Sequence, residues 1–376
     1  MSSDAFEIFL VSAPGLEPVL ADEARALGFA EATAQPGGVA LRGDWGDVWR
    51  ANLMLRGAAR VLVRIGAFRA LHLAQLDKRA RRFPWADFLR PDMPLRIEAT
   101  CRASRIYHAG AAAQRVETAI RETLGAPVAA DAGLRLLVRI EDDLCSFSLD
   151  TSGEGLHKRG HKLAVGKAPL RETLAALFLR QCSYRGTEPV IDPMCGSGTL
   201  VIEAAEIAAG LVPGRSRRFA FEDLSGFDTA AWARLRADCI ASALPAQAAG
   251  SPVFLGYDRD AGAVANARAN AERAGVGDRT IFAQQAVSAL ERPAGPAGLV
   301  IVNPPYGERI GARHMLHAVY GALGQTLLAR FSGWRVGLVS NDAGLARSTG
   351  LPFAPPGPPV VHGALKVRLF QTRPLP

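Results

Sequence analysis

Paired cysteines, lysines and long apolar runs are all scarce in this 376-residue chain. The five cysteines (Cys101, Cys145, Cys182, Cys195, Cys239) are scattered with no Cys-x-x-Cys pair, which argues against a disulfide framework or a zinc knuckle. His157, His161, His314 and His317 form no ligand constellation, so no metal is expected. No stretch approaches the ~20 uninterrupted apolar residues of a membrane span. Residues 1–10 carry Asp4 and Glu7 but no basic residue, so the n-region of a secretory signal is missing. These absences leave a soluble, cytoplasmic protein without membrane contact as the expectation. No internal repeat is evident.

What is present is a chain 49% hydrophobic and 21% charged, apolar enough to offset its ordering entropy and long enough for two or three domains. The net charge of +8 invites a nucleic-acid reading, but only five of the 44 basic residues are lysine, a bias that composition alone can produce. Nor is the charge segregated toward the N-terminal half. Residues 1–165 hold 22 basic and 20 acidic residues, residues 166–376 hold 22 and 16. A global excess of this size is weak support for an anionic partner.

Hydrophobic periodicity predicts strands over 6–11, 39–41 and 61–68 with helices over 16–27 and 45–52 between them, a small α+β unit. A second such unit follows, with a helix over 73–83, a strand over 95–101, a helix over 110–124 and a hairpin of 134–141 with 144–150, read as an antiparallel sheet. Residues 151–168 are Gly-rich and basic and read as a connection. From Val190 the order becomes strand, Gly-rich turn, helix, strand, helix, strand, the pattern of a parallel sheet with crossovers. Residues 213–250 interrupt it as a long insertion. Its cluster Arg215, Arg217 and Arg218 reads as a solubilising one.

Three strand ends carry the chemistry. The first is Val190-Ile191-Asp192-Pro193-Met194-Cys195-Gly196-Ser197-Gly198-Thr199, a buried strand closing on a carboxylate, then two glycines, then a helix start. Glycines let backbone approach a ligand, and a helix N-terminus offers free N–H groups. The third glycine of the dinucleotide pattern is replaced by Val201 and no Walker lysine is present. Taken alone, an ordinary glycine-containing α/β turn is about as good a reading. The second is Val253–Asp258, a strand closing on an acid placed to accept from two ribose hydroxyls. It stands 62 residues after Gly196, an excess the 213–250 insertion must account for. Asp260 competes for that role, its alternative being a helix N-cap. The third is Leu299-Val300-Ile301-Val302-Asn303-Pro304-Pro305-Tyr306. Two prolines stiffen this loop and remove donors, so Asn303 and the Pro304 carbonyl can both accept from an exocyclic amine while Tyr306 stacks on a base.

The Asp192–Thr199 and Asn303-Pro-Pro-Tyr motifs resemble those of class I S-adenosylmethionine-dependent methyltransferases acting on exocyclic amines. Asp150-Thr-Ser-Gly-Glu-Gly-Leu-His-Lys-Arg-Gly-His161, Ala168-Pro-Leu-Arg-Glu-Thr-Leu-Ala175 and Phe331-Ser-Gly-Trp-Arg335 are similar to stretches of bacterial THUMP-domain RNA guanine-N2 methyltransferases, and the resemblance covers almost the whole chain. It implies an α/β protein whose C-terminal Rossmann-like class I methyltransferase sheet follows ferredoxin-like and THUMP α+β domains. The corresponding divisions are 1–60 (ferredoxin-like), 61–155 (THUMP, RNA-binding), 156–168 (basic linker) and 169–376 (methyltransferase, including the 213–250 insertion).

The implied activity is transfer of a methyl group from S-adenosylmethionine to the N2 of a guanine in structured RNA, 23S rRNA or tRNA, by a monomer. Asn303, Pro304, Pro305 and Tyr306 would be catalytic. Asp192, Met194, Cys195, Gly196, Ser197, Gly198, Thr199, Asp258, Arg259, Gln285 and Asn303 would bind the cofactor. Lys158, Arg159 and Lys162, with Lys78 and Arg79 as a weaker pair, would contact RNA. One position departs from the pattern: Ala286 stands where an Asp would read the adenine amino group, leaving Gln284, Gln285 and Ser288 as neighbours. An adenine-N6 methyltransferase, a protein-glutamine methyltransferase and a non-catalytic RNA-binding protein with a degenerate domain are the alternatives.

Overall fold

The computed structural model describes residues 5–163, 170–243, 253–305, 313–363 and 365–376. They form two compact units. The first comprises Met1–Ser12, Ala21–Leu156 and Ser216–Cys239, the second Ala13–Leu20, His157–Arg215 and Ile240–Pro376.

In the first unit, β1 (Phe6–Val11), β2 (Thr33–Gln35), β3 (Gly38–Gly43), β4 (Arg60–Arg69), β5 (Leu95–Arg102), β6 (Leu134–Glu141) and β7 (Leu144–Asp150) build one sheet in the order β2-β3-β1-β4-β7-β6-β5. Residues 1–60 and 61–155 therefore share a single sheet, joined where β4 pairs with both β1 and β7. The predicted all-antiparallel pairing of the second α+β unit needs correction, because β5 and β6 run parallel. Between them the helix Ala109–Thr123 acts as a crossover, returning the chain in its original direction. A bulge in β4 at Arg64/Gly66 bends the strand, and a Cβ on Gly66 would meet the Phe83 ring at 2.7 Å.

A second correction concerns the insertion. The sequence reading places 213–250 within the methyltransferase domain, but residues 216–239 belong to the first unit. Burial of aromatic surface explains this. The helix Trp45–Met54, started by a capping box of Asp44 and Asp47, turns Trp49 toward Phe221, Phe227 and Trp232, with ring centroids 5.7–6.1 Å apart. Nor is Arg217 a solubilising charge, since its guanidinium donates to the Ser152, Glu154 and Gly155 carbonyls and lies over Phe219.

The second unit holds β8 (Val190–Asp192), β9 (Phe254–Asp258), β10 (Thr280–Gln284), β11 (Leu299–Val302), β12 (Arg335–Ser340), β13 (Val360–His362) and β14 (Leu365–Gln371), ordered β10-β9-β8-β11-β12-β14-β13. The pairs from β10 through β12 are parallel, and β14 is antiparallel to both β12 and β13. β11 is buried along its whole length, so it reads as an unbroken apolar run. It packs in a core with Leu323, Leu327, Phe331 and Trp334. The chain moves outward from β8 to β9 and β10, then returns to the other side of β8 as β11. That reversal makes a switch point, where open α/β sheets bind ligands beyond the carboxyl ends of their strands. Among the described residues no helix is long and apolar enough to cross a membrane.

Candidate active site

Asp192 ends β8, Asp258 ends β9 and Asn303 follows β11, so all three lie at the carboxyl edge beside the switch point. The turn between Asp192 and the helix Thr199–Ala208 is held by its own backbone and by Asp258. Cys195 N donates to the Tyr257 carbonyl at 2.8 Å, Gly198 N to the Cys195 carbonyl at 2.8 Å and Gly196 N to Asp258 Oδ2 at 3.0 Å. Gly196 has φ +53° and open space where a Cβ would stand, which gives the loop room for a ligand beside the carboxylate. By contrast Gly198, at φ +85°, is required by packing, since a Cβ there would meet Ala267, Ile202 and Phe282 at 3.1 Å.

Asp258 Oδ1 accepts from Asp260 N at 3.0 Å, so both carboxylate oxygens already hold backbone donors and each keeps a further lone pair. Asp260 itself caps the helix Ala261–Ala274 through Gly262 N and Ala263 N, the alternative role its position suggests. Asp192 is buried, and Oδ1 accepts from Met194 N at 3.0 Å. Burial pushes its carboxyl up to about 8, with the nearby Asp258 adding in the same direction.

A pH dependence follows. Between the ordinary carboxylate range and about 8 the folded protein binds a proton that the unfolded chain has released. The stability contributed by neutral Asp192 is therefore full below that range and is lost as pH rises through it. Urea midpoints compared at pH 6 and pH 9 should fall further for the wild type than for Asp192→Asn. Equal falls would contradict the assignment.

Met194 packs against the second unit's core. The Cys195 thiol is buried and pushed far above its usual range by burial, so it is an inert core group rather than a nucleophile. Ser197 is buried, and its carbonyl accepts from Asn270 Nδ2 at 3.1 Å. Arg259 is exposed, and its carbonyl accepts from Gln284 Nε2 at 3.0 Å. After β10, Gln285 donates from its backbone to the Asp258 carbonyl and from its side chain to the Ala289 carbonyl.

Asn303 Oδ1 is buried and has no hydrogen-bond partner among the described residues, an expensive state for a polar atom unless function uses it. Pro304 is buried beside it. The Pro305 carbonyl accepts from the fully buried Tyr320 hydroxyl at 3.4 Å, a contact with no signal in the sequence beyond a lone Tyr on an apolar helix. Tyr306 lies outside the described residues. Because Tyr320 steadies the Asn303-Pro-Pro turn, Tyr320→Phe should lower kcat about threefold to tenfold with cofactor binding unchanged. Calorimetry beside steady-state assays checks this, and an unchanged kcat would remove the role.

The basic linker differs most from expectation. Arg159 is buried against Glu203 at 3.2 Å, and Lys162 is buried with Glu172 at 3.2 Å and Thr199 Oγ1 at 2.7 Å. Neither is available to RNA, because removing two cations from water requires the paired acids that surround them. Arg215 likewise pairs with Glu206 at 2.5 Å instead of solubilising the insertion. Lys158, Lys78 and Arg79 are exposed. The Asp150–Ser152 stretch is also structural. Asp150 is fully buried between Arg60 and Arg135, while Thr151 and Ser152 both hydrogen-bond to Asn52. Phe331–Arg335 supplies an edge-on Phe331–Trp334 pair and an Arg335–Glu188 ion pair. Among the described residues no group of His, Cys, Asp and Glu is placed to hold a metal ion.

Comparison with known proteins places this geometry. The chain is 36% identical, over 96% of its length, to "Ribosomal RNA large subunit methyltransferase K/L" of Syntrophotalea carbinolica and likewise of Methylococcus capsulatus. It spans about half the length of these relatives, 53% and 50%. Among solved structures, SMU.472, described as a candidate methyltransferase and complexed with SAH, matches with TM-score 0.88 and 26% identity over 100% of both chains. A Listeria monocytogenes protein, assigned by prediction as an N6-adenine-specific DNA methylase, matches with TM-score 0.85 and 30% identity over 98% of this chain and 96% of that one. The RlmL ferredoxin-like domain family matches residues 7–62, and the family described as RMKL-like, methyltransferase domain, matches residues 159–350. The chain therefore belongs to the RMKL-like methyltransferase family, with a ferredoxin-like domain at its N-terminus and a S-adenosylmethionine-dependent methyltransferase fold in its second unit.

Proposed function

We propose that this chain methylates the exocyclic N2 of a guanine in large-subunit ribosomal RNA. The observation that carries the reading is the buried Asn303 Oδ1, without a hydrogen-bond partner among the described residues, directly after a central strand and next to a proline carbonyl. An aromatic amine is a poor nucleophile because its lone pair is delocalised into the ring. Asn303 Oδ1 and the Pro304 carbonyl accept its two hydrogens and hold the nitrogen so that the lone pair points at the methyl group. The sequence offers Tyr306, outside the described residues, as the aromatic to stack on the base, which must be single-stranded or flipped from its helix.

The residues at the other two strand ends suit the cofactor. S-adenosylmethionine supplies an electrophilic methyl group on a sulfonium when bound. Asp258 would accept from the ribose hydroxyls with its remaining lone pairs, and the open space at Gly196 would admit the ligand against the loop. Asp192 ends the neighbouring strand at the same edge, and its buried carboxyl fixes the start of the turn through Met194 N. As the nitrogen–carbon bond forms the sulfonium–methyl bond breaks, and the cationic nitrogen then loses one proton to water, so catalysis on this scheme is positioning and electrostatics with no strong base.

The names of these relatives support the ribosomal substrate. The sequence resemblance makes the 61–155 segment a THUMP-type RNA-binding piece. Lys78, Arg79 and Lys158 are the exposed cations among those assigned to RNA. The same two acceptors would hold an adenine N6, the activity assigned to the Listeria neighbour. Transfer of tritiated methyl from S-adenosylmethionine to 23S rRNA, tRNA and duplex DNA separates these substrates. Label in 23S rRNA alone is the expected result, and label in DNA alone would overturn the reading.

A further inference from the structure

Lys162 was read from the sequence as an RNA contact, yet its side chain is only 11% exposed and its ammonium has three partners in the second unit. Nζ donates to Thr199 Oγ1 at 2.7 Å and to the Leu170 carbonyl at 2.9 Å, and it lies 3.2 Å from Glu172 Oε1. Thr199 is the first residue of the helix that leaves the Gly196–Gly198 turn. Glu172 is the first residue of the helix Glu172–Gln181. A lone cation at a helix N-terminus is unfavourable, since the exposed N–H groups there carry partial positive charge. Glu172 offsets this, which explains why an acid accompanies the lysine.

The same segment reaches the turn a second time. Arg273 Nε donates to the His161 carbonyl at 2.8 Å, its guanidinium also bonds Asn270 Oδ1, and Asn270 Nδ2 donates to the Ser197 carbonyl at 3.1 Å. Asn270 is completely buried. Residues 161 and 162 thus hold the glycine turn on both sides of Gly198, through the Ser197 carbonyl and the Thr199 hydroxyl. The first link fixes the Ser197–Gly198 peptide, whose N–H is already held by the Cys195 carbonyl, and the second fixes the Thr199 side chain at the helix start. A buried, paired network fixes orientation better than an exposed one does.

We propose that Lys162 is a positioning residue for the cofactor turn: through Thr199 it sets the geometry of residues 196–199 and hence the affinity for the S-adenosyl ligand, and it makes no contact with RNA. The inference rests on the reading of that turn as the cofactor site. The test is calorimetric binding of S-adenosylhomocysteine to the full chain, with filter binding of 23S rRNA in parallel. Lys162→Met, which keeps length and loses the ammonium, should weaken S-adenosylhomocysteine about tenfold and raise the KM for S-adenosylmethionine with kcat within threefold. Its affinity for rRNA should match the wild type. Thr199→Val should weaken the ligand by a similar factor, Thr199→Ser should recover most of it, and the double variant should be no worse than either single one.

Because Lys162→Met could fail to fold, thermal unfolding is recorded for each variant, and the Thr199 pair then carries the test alone. The proposal is overturned if Thr199→Val binds S-adenosylhomocysteine as the wild type does, or if a folded Lys162→Met keeps ligand affinity and loses rRNA affinity. A wild type that binds no S-adenosylhomocysteine would instead bring down the cofactor reading itself.

Discussion

Asn303→Ala is expected to lower kcat about a hundred- to a thousandfold while the affinity for S-adenosylhomocysteine stays within threefold. The size follows from removing one pre-aligned acceptor from a reacting nitrogen, an effect comparable to deleting one oxyanion-hole donor. Folding should not suffer. Asn303 Oδ1 has no hydrogen-bond partner among the described residues, so its loss removes an unpaired buried atom and breaks none of their bonds to that oxygen. That combination separates a catalytic role from a structural one. Single-turnover transfer beside calorimetry reads it directly, and near-wild-type turnover in a folded Asn303→Ala protein would remove the proposed amine contact.

Asp258→Ala should show the opposite pattern, an affinity for S-adenosylmethionine about a hundredfold weaker. Two effects combine. The carboxylate accepts from Gly196 N and Asp260 N, so its loss frees the turn and the start of the next helix together, besides the expected ribose contacts. Charge-assisted bonds of this kind are roughly twice as strong as neutral ones. Asp258→Asn should lie between, because one of its two oxygens becomes a donor that repels a backbone N–H. Calorimetric titration of all three proteins gives the order, and equal affinities would show that the ribose is read elsewhere.

Some of this was legible from residues alone. A short apolar strand that stops on Asp192, Asp258 or Asn303 announces a carboxyl edge, and parallel-sheet topology brings such ends to one place whatever the loops between them do. The linker cations were misread because local sequence shows charge without its partner. Arg159 and Lys162 find Glu203 and Glu172 at distances of 44 and 10 residues along the chain. A usable signal existed. Glu203 and Glu206 are the only charged residues in the otherwise apolar helix Thr199–Ala208, and carboxylates set in such a helix demand buried cations.

The insertion was harder still. Nothing local says that Phe221, Phe227 and Trp232 belong against Trp49, since tertiary burial between segments so far apart in the chain leaves no period to read. Three of the cations once weighed as surface charges, Arg159, Lys162 and Arg215, turn out to be buried or half-buried partners of acids.

The central claim is methyl transfer to a guanine N2 at Asn303. It is tested most directly by incubating the purified chain with unmodified 23S rRNA transcript and S-adenosylmethionine, digesting the RNA and identifying methylated nucleosides by mass spectrometry. The account predicts N2-methylguanosine approaching one residue per transcript with the wild type and a level near background with Asn303→Ala. N6-methyladenosine in its place, or equal product from both proteins, would contradict it.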